Sequence, residues 1–261
     1  MKLLSPLIAL FQALFLILWL VFWISASGLA ALFTLNGSVP LMIARRFWAP
    51  MHWRITGSPL LVEPLPDIDW SRPHIFLMNH QSAVDIPVAF AVIPVNIRFL
   101  AKHALKRVPF LGWYMTMTGM IFVNRSDPRE SIRSLKQAGE RVRAGSNLLI
   151  FPEGTRSEDG RILPFKKGAF VLAVEAGVPI VPIAIEGTRG MLPPGSLRLR
   201  RHPLRVKMGP PIETAGRKGA QREALMKEAR DILIQLHRDI GGEGGVTEGA
   251  LDTPNGSGAP A

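Results

Sequence analysis

The chain has 261 residues, a formal net charge of +11 and no cysteine. Without cysteine there is no disulfide framework, thiolate nucleophile or cysteine-ligated metal. Residues 241–261 hold three acids and no Lys or Arg, so residues 1–240 carry a charge of +14, and we expect this body to be drawn to anionic surfaces. Between an apolar N-terminus and a glycine-rich C-terminus, roughly 180 residues remain, enough for one domain with a substantial core.

The N-terminus has the composition of a membrane segment. Residues 3–44 contain no Lys, Arg, His, Asp or Glu, and residues 7–24 are almost entirely Leu, Ile, Phe, Trp and Val. About 20 helical residues cross the roughly 30 Å hydrocarbon layer. The segment therefore allows either one span with excess length or two shorter helices broken near residues 25–28. A signal peptide is the alternative, although the apolar run exceeds the roughly 7–15 residues of a signal core.

A cationic and aromatic cluster follows the apolar segment. Its members are Arg45, Arg46, Phe47, Trp48, Trp53 and Arg54. Such a cluster suits the lipid headgroup layer, and the positive-inside tendency puts the following domain on the cytoplasmic side of a cytoplasmic (inner) membrane. We therefore predict an N-terminal membrane anchor and interfacial segment over residues 1–54 and a catalytic domain over residues 55–240.

Apolar runs alternate with helical patterns along the rest of the chain. Strands are predicted at residues 74–78, 97–101, 120–124, 148–151, 180–185 and 204–208. The clearest helix starts at Asp127, where Asp127, Pro128 and Glu130 supply a cap, a first-turn proline and a capping-box acid. It runs to Gly145, and a second helix covers residues 220–240. This alternation predicts an α/β fold with a layered mixed sheet and flanking helices, followed by a disordered tail at residues 241–261.

A histidine and an aspartate follow the first predicted strand, in the block Asn-His-Gln-Ser-Ala-Val-Asp at residues 79–85. A histidine at a strand end can take a proton near neutral pH, and a carboxylate on its other ring nitrogen fixes the tautomer. If Ser82 caps the next helix, Asp85 falls at the third helical position and turns back toward His80. The same Ser-x-x-Asp spacing is also a capping box that needs no catalysis. No Gly-x-Ser-x-Gly, His-Glu-x-x-His or Gly-x-x-x-x-Gly-Lys motif occurs, which favours a base that activates the substrate's own hydroxyl.

Arginines that follow other strands suit phosphate recognition. Arg125 ends the strand at 120–124, and Arg156 lies in a Glu-Gly-Thr-Arg turn after the strand at 148–151. Guanidinium groups offer forked donors for phosphate oxygens, and ligands of open α/β sheets bind at the C-terminal ends of the strands. For Glu153 three roles stay open: binding acceptor hydroxyls, orienting Arg156, or bracing the turn.

The interval between Asp85 and Asp127 contains no acidic residue. It does contain Arg98, Lys102, Lys106, Arg107 and Arg125. We expect this interval to form a positive face.

Four blocks in order, at residues 79–85, 119–125, 151–157 and 178–183, resemble the motifs of the glycerolipid acyltransferases. Within that family the likeness is greatest to the bacterial 1-acyl-sn-glycerol-3-phosphate (lysophosphatidic acid) acyltransferases. The resemblance covers about residues 55–212. It implies transfer of a fatty acyl group to the sn-2 hydroxyl of 1-acyl-sn-glycerol 3-phosphate, which makes phosphatidic acid for phospholipid biosynthesis.

The resemblance also implies roles for single residues. His80 is the general base and Asp85 its partner. The implied substrate-binding residues are Lys102, Arg125, Glu153, Gly154, Thr155 and Arg156. The implied partners are the lysophospholipid, an acyl thioester carried by CoA or by acyl carrier protein, and the membrane, without a metal, a bound cofactor or nucleic acid.

Two alternatives accompany this interpretation. The same chemistry can act on glycerol 3-phosphate, a lyso-ornithine lipid or another lysophospholipid, because motif residues change little among such enzymes. In a different class, the chain is a non-catalytic basic membrane protein that binds anionic lipid or nucleic acid through charge alone. Binding of that kind would depend strongly on salt and would be indifferent to His80.

Overall fold

The computed structural model of the protein describes residues 4–35, 37–124 and 127–246. Arg125, a predicted phosphate ligand, and residues 247–261 of the predicted tail lie outside the described residues. The structure has one seven-stranded mixed sheet with helices on both faces. The predicted layered α/β architecture is therefore confirmed.

The sheet has the strand order β1-β7-β6-β2-β5-β3-β4, and its pairs are parallel except for β6 with β7. The strands are β1 Leu60–Val62, β2 Ile75–Met78, β3 Ile97–Lys102, β4 Ile121–Val123, β5 Asn147–Ile150, β6 Ile180–Glu186 and β7 Leu204–Met208. All six predicted strands are present. The prediction missed β1, a three-residue edge strand bounded by Pro59 and Pro64, which is too short to show a period of two.

Nine α-helices surround this sheet in the described part of the chain. They are α1 Leu4–Thr34, α2 Val39–Ile43, α3 Met51–Arg54, α4 Asp85–Val92, α5 Leu111–Met117, α6 Pro128–Arg143, α7 Gly168–Ala176, α8 Thr188–Met191 and α9 Arg222–Asp239. A π-helical turn spans Ala44–Trp48, and 3₁₀ turns span His103–Arg107 and Gly219–Gln221. The two long helices predicted at 127–145 and 220–240 correspond to α6 and α9.

The alternation of side chains along β2 divides the core into two layers. Phe76 and Met78 pack with residues of α1, α4 and α5, whereas Ile75 and Leu77 face the other side and pack with residues of α6, α7 and α9. All four of these side chains are buried. Because both faces of a central parallel strand are covered, an unbroken apolar run is expected there.

Helix α1 is continuous over 31 residues, about 46 Å long, and has no break at residues 25–28. An 18-residue window within its stretch Leu7–Thr34 has a mean hydropathy of 2.6, and by length and composition this stretch could cross a membrane. One face is docked on the domain: Gln12 exchanges two hydrogen bonds with the backbone of Leu199, and Trp19 donates to the carbonyl of Trp48. The other face carries exposed large apolar side chains such as Phe11, Leu14 and Phe33.

The first residues after α9 are ordered, which differs from the predicted tail at 241–261. The N–H of Ile162 donates to the carbonyl of Gly244 at 2.8 Å, and the N–H of Val246 donates back to Ile162 at 3.1 Å. Residues 241–246 are held by backbone hydrogen bonds rather than by buried side chains. The low content of large apolar residues in this segment therefore did not reveal that it is ordered.

Candidate active site

The ends of four neighbouring parallel strands bring the predicted site residues together. In the order β2, β5, β3, β4, the strands are adjacent and point the same way, so the residues that follow them share one edge of the sheet. His80 follows β2, the turn 151–156 follows β5, Lys102 ends β3, and Asn124 follows β4. This is the C-terminal edge at which open α/β sheets bind ligands.

His80 and Asp85 form a close pair. The Nδ1 atom of His80 lies 2.7 Å from Oδ2 of Asp85, whose side chain is fully buried, while the His80 side chain is 17% exposed. An aspartate carboxylate only accepts hydrogen bonds, so Nδ1 carries the proton. In the neutral imidazole, Nε2 is then the nitrogen without a hydrogen and can accept a proton.

Asp85 also holds the turn, as the capping-box alternative requires. Its Oδ2 accepts hydrogen bonds from the backbone N–H groups of Gln81 at 2.7 Å and Ser82 at 2.8 Å. Ser82 is not the cap of α4, contrary to expectation, because that helix begins at Asp85 and the Ser82 hydroxyl donates to the carbonyl of Leu192. Only the bond from the Ser82 N–H to Asp85 matches the capping-box interpretation, and the same carboxylate oxygen pairs with His80.

The same bonds restrict which amides can stabilise an oxyanion. Backbone amides near the turn after His80 are candidates for this role, although the sequence does not indicate which ones. Here the N–H groups of Gln81 and Ser82 already point at Asp85. These two N–H groups therefore hold the carboxylate that pairs with His80.

Glu153 joins the two motif turns. Its Oε1 accepts from the backbone N–H of His80 at 2.8 Å, and its Oε2 accepts from the N–H of Leu163 at 2.9 Å. The N–H of Ser157 donates to the carbonyl of His80 at 2.8 Å, so the backbone of His80 is held on both sides. Of the three roles left open for Glu153, this geometry matches the bracing of the turn.

Burial dominates the electrostatics of Glu153, which is 3% exposed. Loss of solvent around the carboxyl raises its pKa to about 8, against the lowering effect of the N–H donors of Leu163 and His80. The ring of Phe151 stacks on His80 with centroids 4.0 Å apart, which limits rotation of the imidazole. His80 is therefore fixed by its ring, its Nδ1 atom and both backbone groups.

His80 opens onto a cavity of about 1500 Å³. Its apolar walls come from α1, the π-helical turn, α4, β3 and α5, through residues that include Leu16, Ile24, Trp48, Phe90, Phe99 and Met115. A cavity with this lining can hold a long aliphatic chain beside the imidazole.

Polar and basic residues line the same cavity near the strand ends. Lys102, Gly154, Thr155 and Arg156 all contribute to its surface, as does Arg107. Arg98 does not join them, because its guanidinium turns away and donates to the carbonyl of Thr118 at 3.1 Å. The predicted positive face is thus only partly assembled at this site.

Sequence reasoning missed Lys166, which lines the cavity and lies against Gly154. A Cβ atom built on Gly154 would be 3.1 Å from Nζ of Lys166. Lys166 stands in a loop before α7 and belongs to no predicted element, so periodicity offered no signal for it. Among residues 4–35, 37–124 and 127–246, no three His, Asp or Glu side chains are grouped closely enough to hold a metal ion.

Comparison with known proteins identifies the family. A family model described as Acyltransferase matches residues 60–186, a range that contains all four motif blocks. The crystal structure of the 1-acyl-sn-glycerophosphate (LPA) acyltransferase PlsC from Thermotoga maritima superimposes with a TM-score of 0.79 and 26% identity, covering 92% of this chain and 95% of that one. The chain belongs to the glycerolipid acyltransferase family. The resemblance inferred from the four blocks is confirmed.

Two curated members of this family illustrate the sequence likeness. The chloroplastic 1-acyl-sn-glycerol-3-phosphate acyltransferase of Brassica napus is 39% identical over 175 residues, which are 67% of this chain and 48% of that protein. The 1-acyl-sn-glycerol-3-phosphate acyltransferase of Saccharomyces cerevisiae is 36% identical over 173 residues, which are 65% of this chain and 57% of that protein. The chain thus spans about half the length of the curated relatives it matches.

Proposed function

We propose that the protein transfers a fatty acyl group from acyl-CoA or acyl carrier protein to the sn-2 hydroxyl of 1-acyl-sn-glycerol 3-phosphate, forming phosphatidic acid. The observation that carries this proposal is the His80–Asp85 pair, 2.7 Å apart, at the wall of a cavity that is basic near the strand ends and apolar beyond. The relatives named 1-acyl-sn-glycerol-3-phosphate acyltransferase support the choice of acceptor.

In the proposed mechanism, Nε2 of His80 removes the proton from the sn-2 hydroxyl as that oxygen attacks the thioester carbonyl. The carbon–oxygen bond of the new ester forms, and the tetrahedral intermediate collapses with cleavage of the carbon–sulfur bond. The departing thiolate takes up the proton from the His80 imidazolium, which restores the base. Asp85 stabilises the imidazolium between these steps, and no acyl-enzyme is required.

Positive groups would hold the phosphate of the acceptor. We assign this role to Arg156, Lys102 and Arg125, with Thr155 and the backbone at Gly154 beside them. Arg156 and Lys102 are exposed and line the cavity together with His80, which supports the assignment for these two. Glu153 takes part through the turn that it braces. No metal or bound cofactor enters the proposed reaction.

We further propose that α1 and the segment through residue 54 anchor the enzyme in a cytoplasmic (inner) membrane, with the catalytic domain of residues 55–240 on the cytoplasmic side. The exposed apolar face of α1 supports burial in lipid. The hydrogen bonds between Gln12 and Leu199, together with the α1 residues in the cavity wall, support retention of this helix rather than its removal as a signal peptide. Lipid substrates would then enter the cavity beside α1, the helix that anchors the enzyme.

The test is a transfer assay with the purified full-length chain in lipid nanodiscs. The acceptors are 1-acyl-sn-glycerol 3-phosphate, glycerol 3-phosphate, a lyso-ornithine lipid and lysophosphatidylcholine, each with acyl-CoA and with acyl carrier protein as donor. We expect product from 1-acyl-sn-glycerol 3-phosphate at the highest kcat/KM. If another acceptor is turned over faster, that acceptor replaces 1-acyl-sn-glycerol 3-phosphate as the proposed substrate. If no pair of acceptor and donor gives product, the enzymatic proposal is overturned in favour of binding through charge.

A further inference from the structure

A second acid–histidine pair lies behind the His80 turn. Oε2 of Glu186, the last residue of β6, is 2.7 Å from Nε2 of His237 on α9. The His237 side chain is completely buried, and the Glu186 side chain is 26% exposed. Neither residue lines the cavity of the proposed active site, so the reaction described above gives them no task.

The contacts of His237 indicate which of its two ring nitrogens carries the proton. The backbone N–H of Gly244 donates to Nδ1 at 3.2 Å, so Nδ1 is the unprotonated nitrogen and Nε2 donates to Glu186. Burial by itself would raise the pKa of Glu186, but the donors from His237 and Gln81 outweigh it and hold the pKa below its ordinary value. Glu186 is thus a carboxylate with two fixed donors.

The second donor connects this pair to the turn that carries His80. Nε2 of the buried Gln81 side chain donates to Oε2 of Glu186 and to the carbonyl of Gly160, both at 3.0 Å. These two oxygens only accept hydrogen bonds, so the amide nitrogen and not the amide oxygen must face them. The same nitrogen also lies 3.1 Å from Nε2 of His237. The backbone N–H of the same residue donates to Asp85. A continuous chain of hydrogen bonds therefore runs from His237 through Glu186, Gln81 and Asp85 to His80.

We propose that Glu186 and His237 are positioning residues for the acyl transfer. By holding the side chain of Gln81 they keep its backbone N–H on Asp85, and Asp85 in turn orients the imidazole of His80. This inference rests on the proposed role of His80 as general base. It predicts that substitutions far from the cavity lower the rate of the chemical step without changing substrate affinity.

Two substitutions of His237 separate its two hydrogen bonds. In His237→Gln the side-chain amide reaches the position of Nε2 and keeps a donor for Glu186. In His237→Asn the shorter side chain leaves a polar atom only near the position of Nδ1. We expect His237→Asn to lower kcat by about 10- to 100-fold with both KM values within about twofold of wild type, because misplacement by about 1 Å has effects of that size. We expect His237→Gln to restore most of kcat.

His74→Asn is the matched control. His74 is also fully buried, but it lies at the opposite end of β2 from His80. The His74→Asn variant should have a lower melting temperature than the wild type, because a buried side chain is changed, and an unchanged kcat. An equal loss of kcat in His74→Asn and His237→Asn would assign the effect to general destabilisation and overturn the proposal.

A second route tests the same chain of bonds from Gln81, in case His237→Asn folds poorly. Gln81→Met keeps the backbone N–H and removes the side-chain donors. Because both substitutions break one connected network, the double variant with His237→Asn should lose little more activity than either single variant. Losses that multiply would show two independent effects and contradict the proposal.

A proton NMR signal of His80 supplies a readout that needs no substrate. The Nδ1 proton shared with Asp85 should give a downfield resonance that disappears in His80→Ala. We expect this resonance to weaken or shift in His237→Asn and to return in His237→Gln. If the wild type lacks transferase activity, the proposed function fails while this measurement still tests the network. An unchanged resonance and an unchanged kcat in His237→Asn would overturn the positioning role alone.

Discussion

Oε1 of Glu153 accepts a hydrogen bond from the backbone N–H of His80 at 2.8 Å, although 73 residues separate the two in the sequence. The bond ties the turn after β5 to the turn after β2, and the return bond from Ser157 to the carbonyl of His80 completes the tie. The glutamate of the second turn therefore governs the placement of the histidine in the first. Its effect on stability should depend on pH.

We predict that Glu153→Gln flattens the dependence of stability on pH. Burial raises the pKa of Glu153 to about 8 from an ordinary 4.5, so between these pH values the folded protein keeps a proton that the unfolded chain has lost. The associated stabilisation is complete below about pH 4.5 and is lost as the pH rises through about 8, with a slope approaching about 1.4 kcal/mol per pH unit. Denaturant unfolding of wild type and variant from pH 5 to 9 measures the two slopes.

At pH 5, Glu153→Gln should be less stable than the wild type, because a glutamine amide accepts from only one of the two N–H groups. The difference should shrink as the pH rises toward 9, because only the wild type then carries a buried charge. Glu158→Gln, an exposed carboxyl in the same loop, is the control and should keep the wild-type slope. Parallel curves for wild type and Glu153→Gln would show that this carboxyl does not titrate as described.

Removing either member of the His80–Asp85 pair should abolish most turnover. His80→Ala loses the base and should lower kcat by about 10²- to 10⁴-fold. Asp85→Asn should also lose most activity, because a neutral amide lacks the negative charge that stabilises the His80 imidazolium. Initial rates and circular dichroism spectra separate this effect from unfolding. As a control, Asp69→Asn at an exposed turn is expected to keep the wild-type kcat. Substantial activity in both His80→Ala and Asp85→Asn would refute the assignment of His80 as the base.

Arg156→Ala should weaken binding of the phosphorylated acceptor more than binding of the thioester. A hydrogen bond to a charged group contributes about 1.5–3 kcal/mol, so KM for 1-acyl-sn-glycerol 3-phosphate should rise about tenfold or more. A phosphate-free 1-acylglycerol should be affected little by the same change. Arg133→Ala, an exposed arginine on α6 away from the cavity, controls for loss of net charge. Equal increases in KM for both substrates would count against a phosphate contact.

Gly154→Ala and Gly177→Ala should cause similar losses of stability and different losses of activity. Both glycines have positive φ, 75° and 67°, where an L-residue costs about 1–2 kcal/mol. A Cβ atom at Gly154 would also come within 2.9 Å of Cε of Lys166, whereas at Gly177 it meets nothing within 4 Å. Melting temperatures should fall in both variants, but KM for the acceptor should rise only in Gly154→Ala. If KM stays at its wild-type value in Gly154→Ala, the contact with Lys166 has no part in binding.

Local patterns predicted the long elements because the information lies within a few residues. The side chain of Asp127 does cap α6, accepting from the N–H groups of Arg129 and Glu130. Glu130 makes a contact that the capping-box spacing does not predict, because its Oε2 accepts from the side chain of Asn124 at 2.7 Å. A capping motif indicates which side chains are able to form the capping hydrogen bonds. A residue at a neighbouring strand end can compete for the same side chains.

Contacts between distant segments were beyond such patterns. The pairing of Gln12 with Leu199, which docks α1 on the domain, joins residues 187 positions apart. Nothing near either residue in the chain indicates the other. The same holds for His237, whose sequence neighbourhood is that of an ordinary amphipathic helix and whose contact with Glu186 exists only because α9 packs against β6.

The amino-acid order alone was sufficient to predict the alternation of strands and helices, the apolar N-terminal helix, the family and the motif residues, because each of these depends on composition and short spacing. Folding was needed to bring His80 and Arg156 to one cavity, to let Glu153 brace the turn of His80, to place α1 in the cavity wall, and to connect Asp85 with the Glu186–His237 pair behind it. Those relationships depend on which strands become neighbours in the sheet. Strand order is selected by the packing of both faces of the whole sheet at once, which no short stretch of sequence encodes.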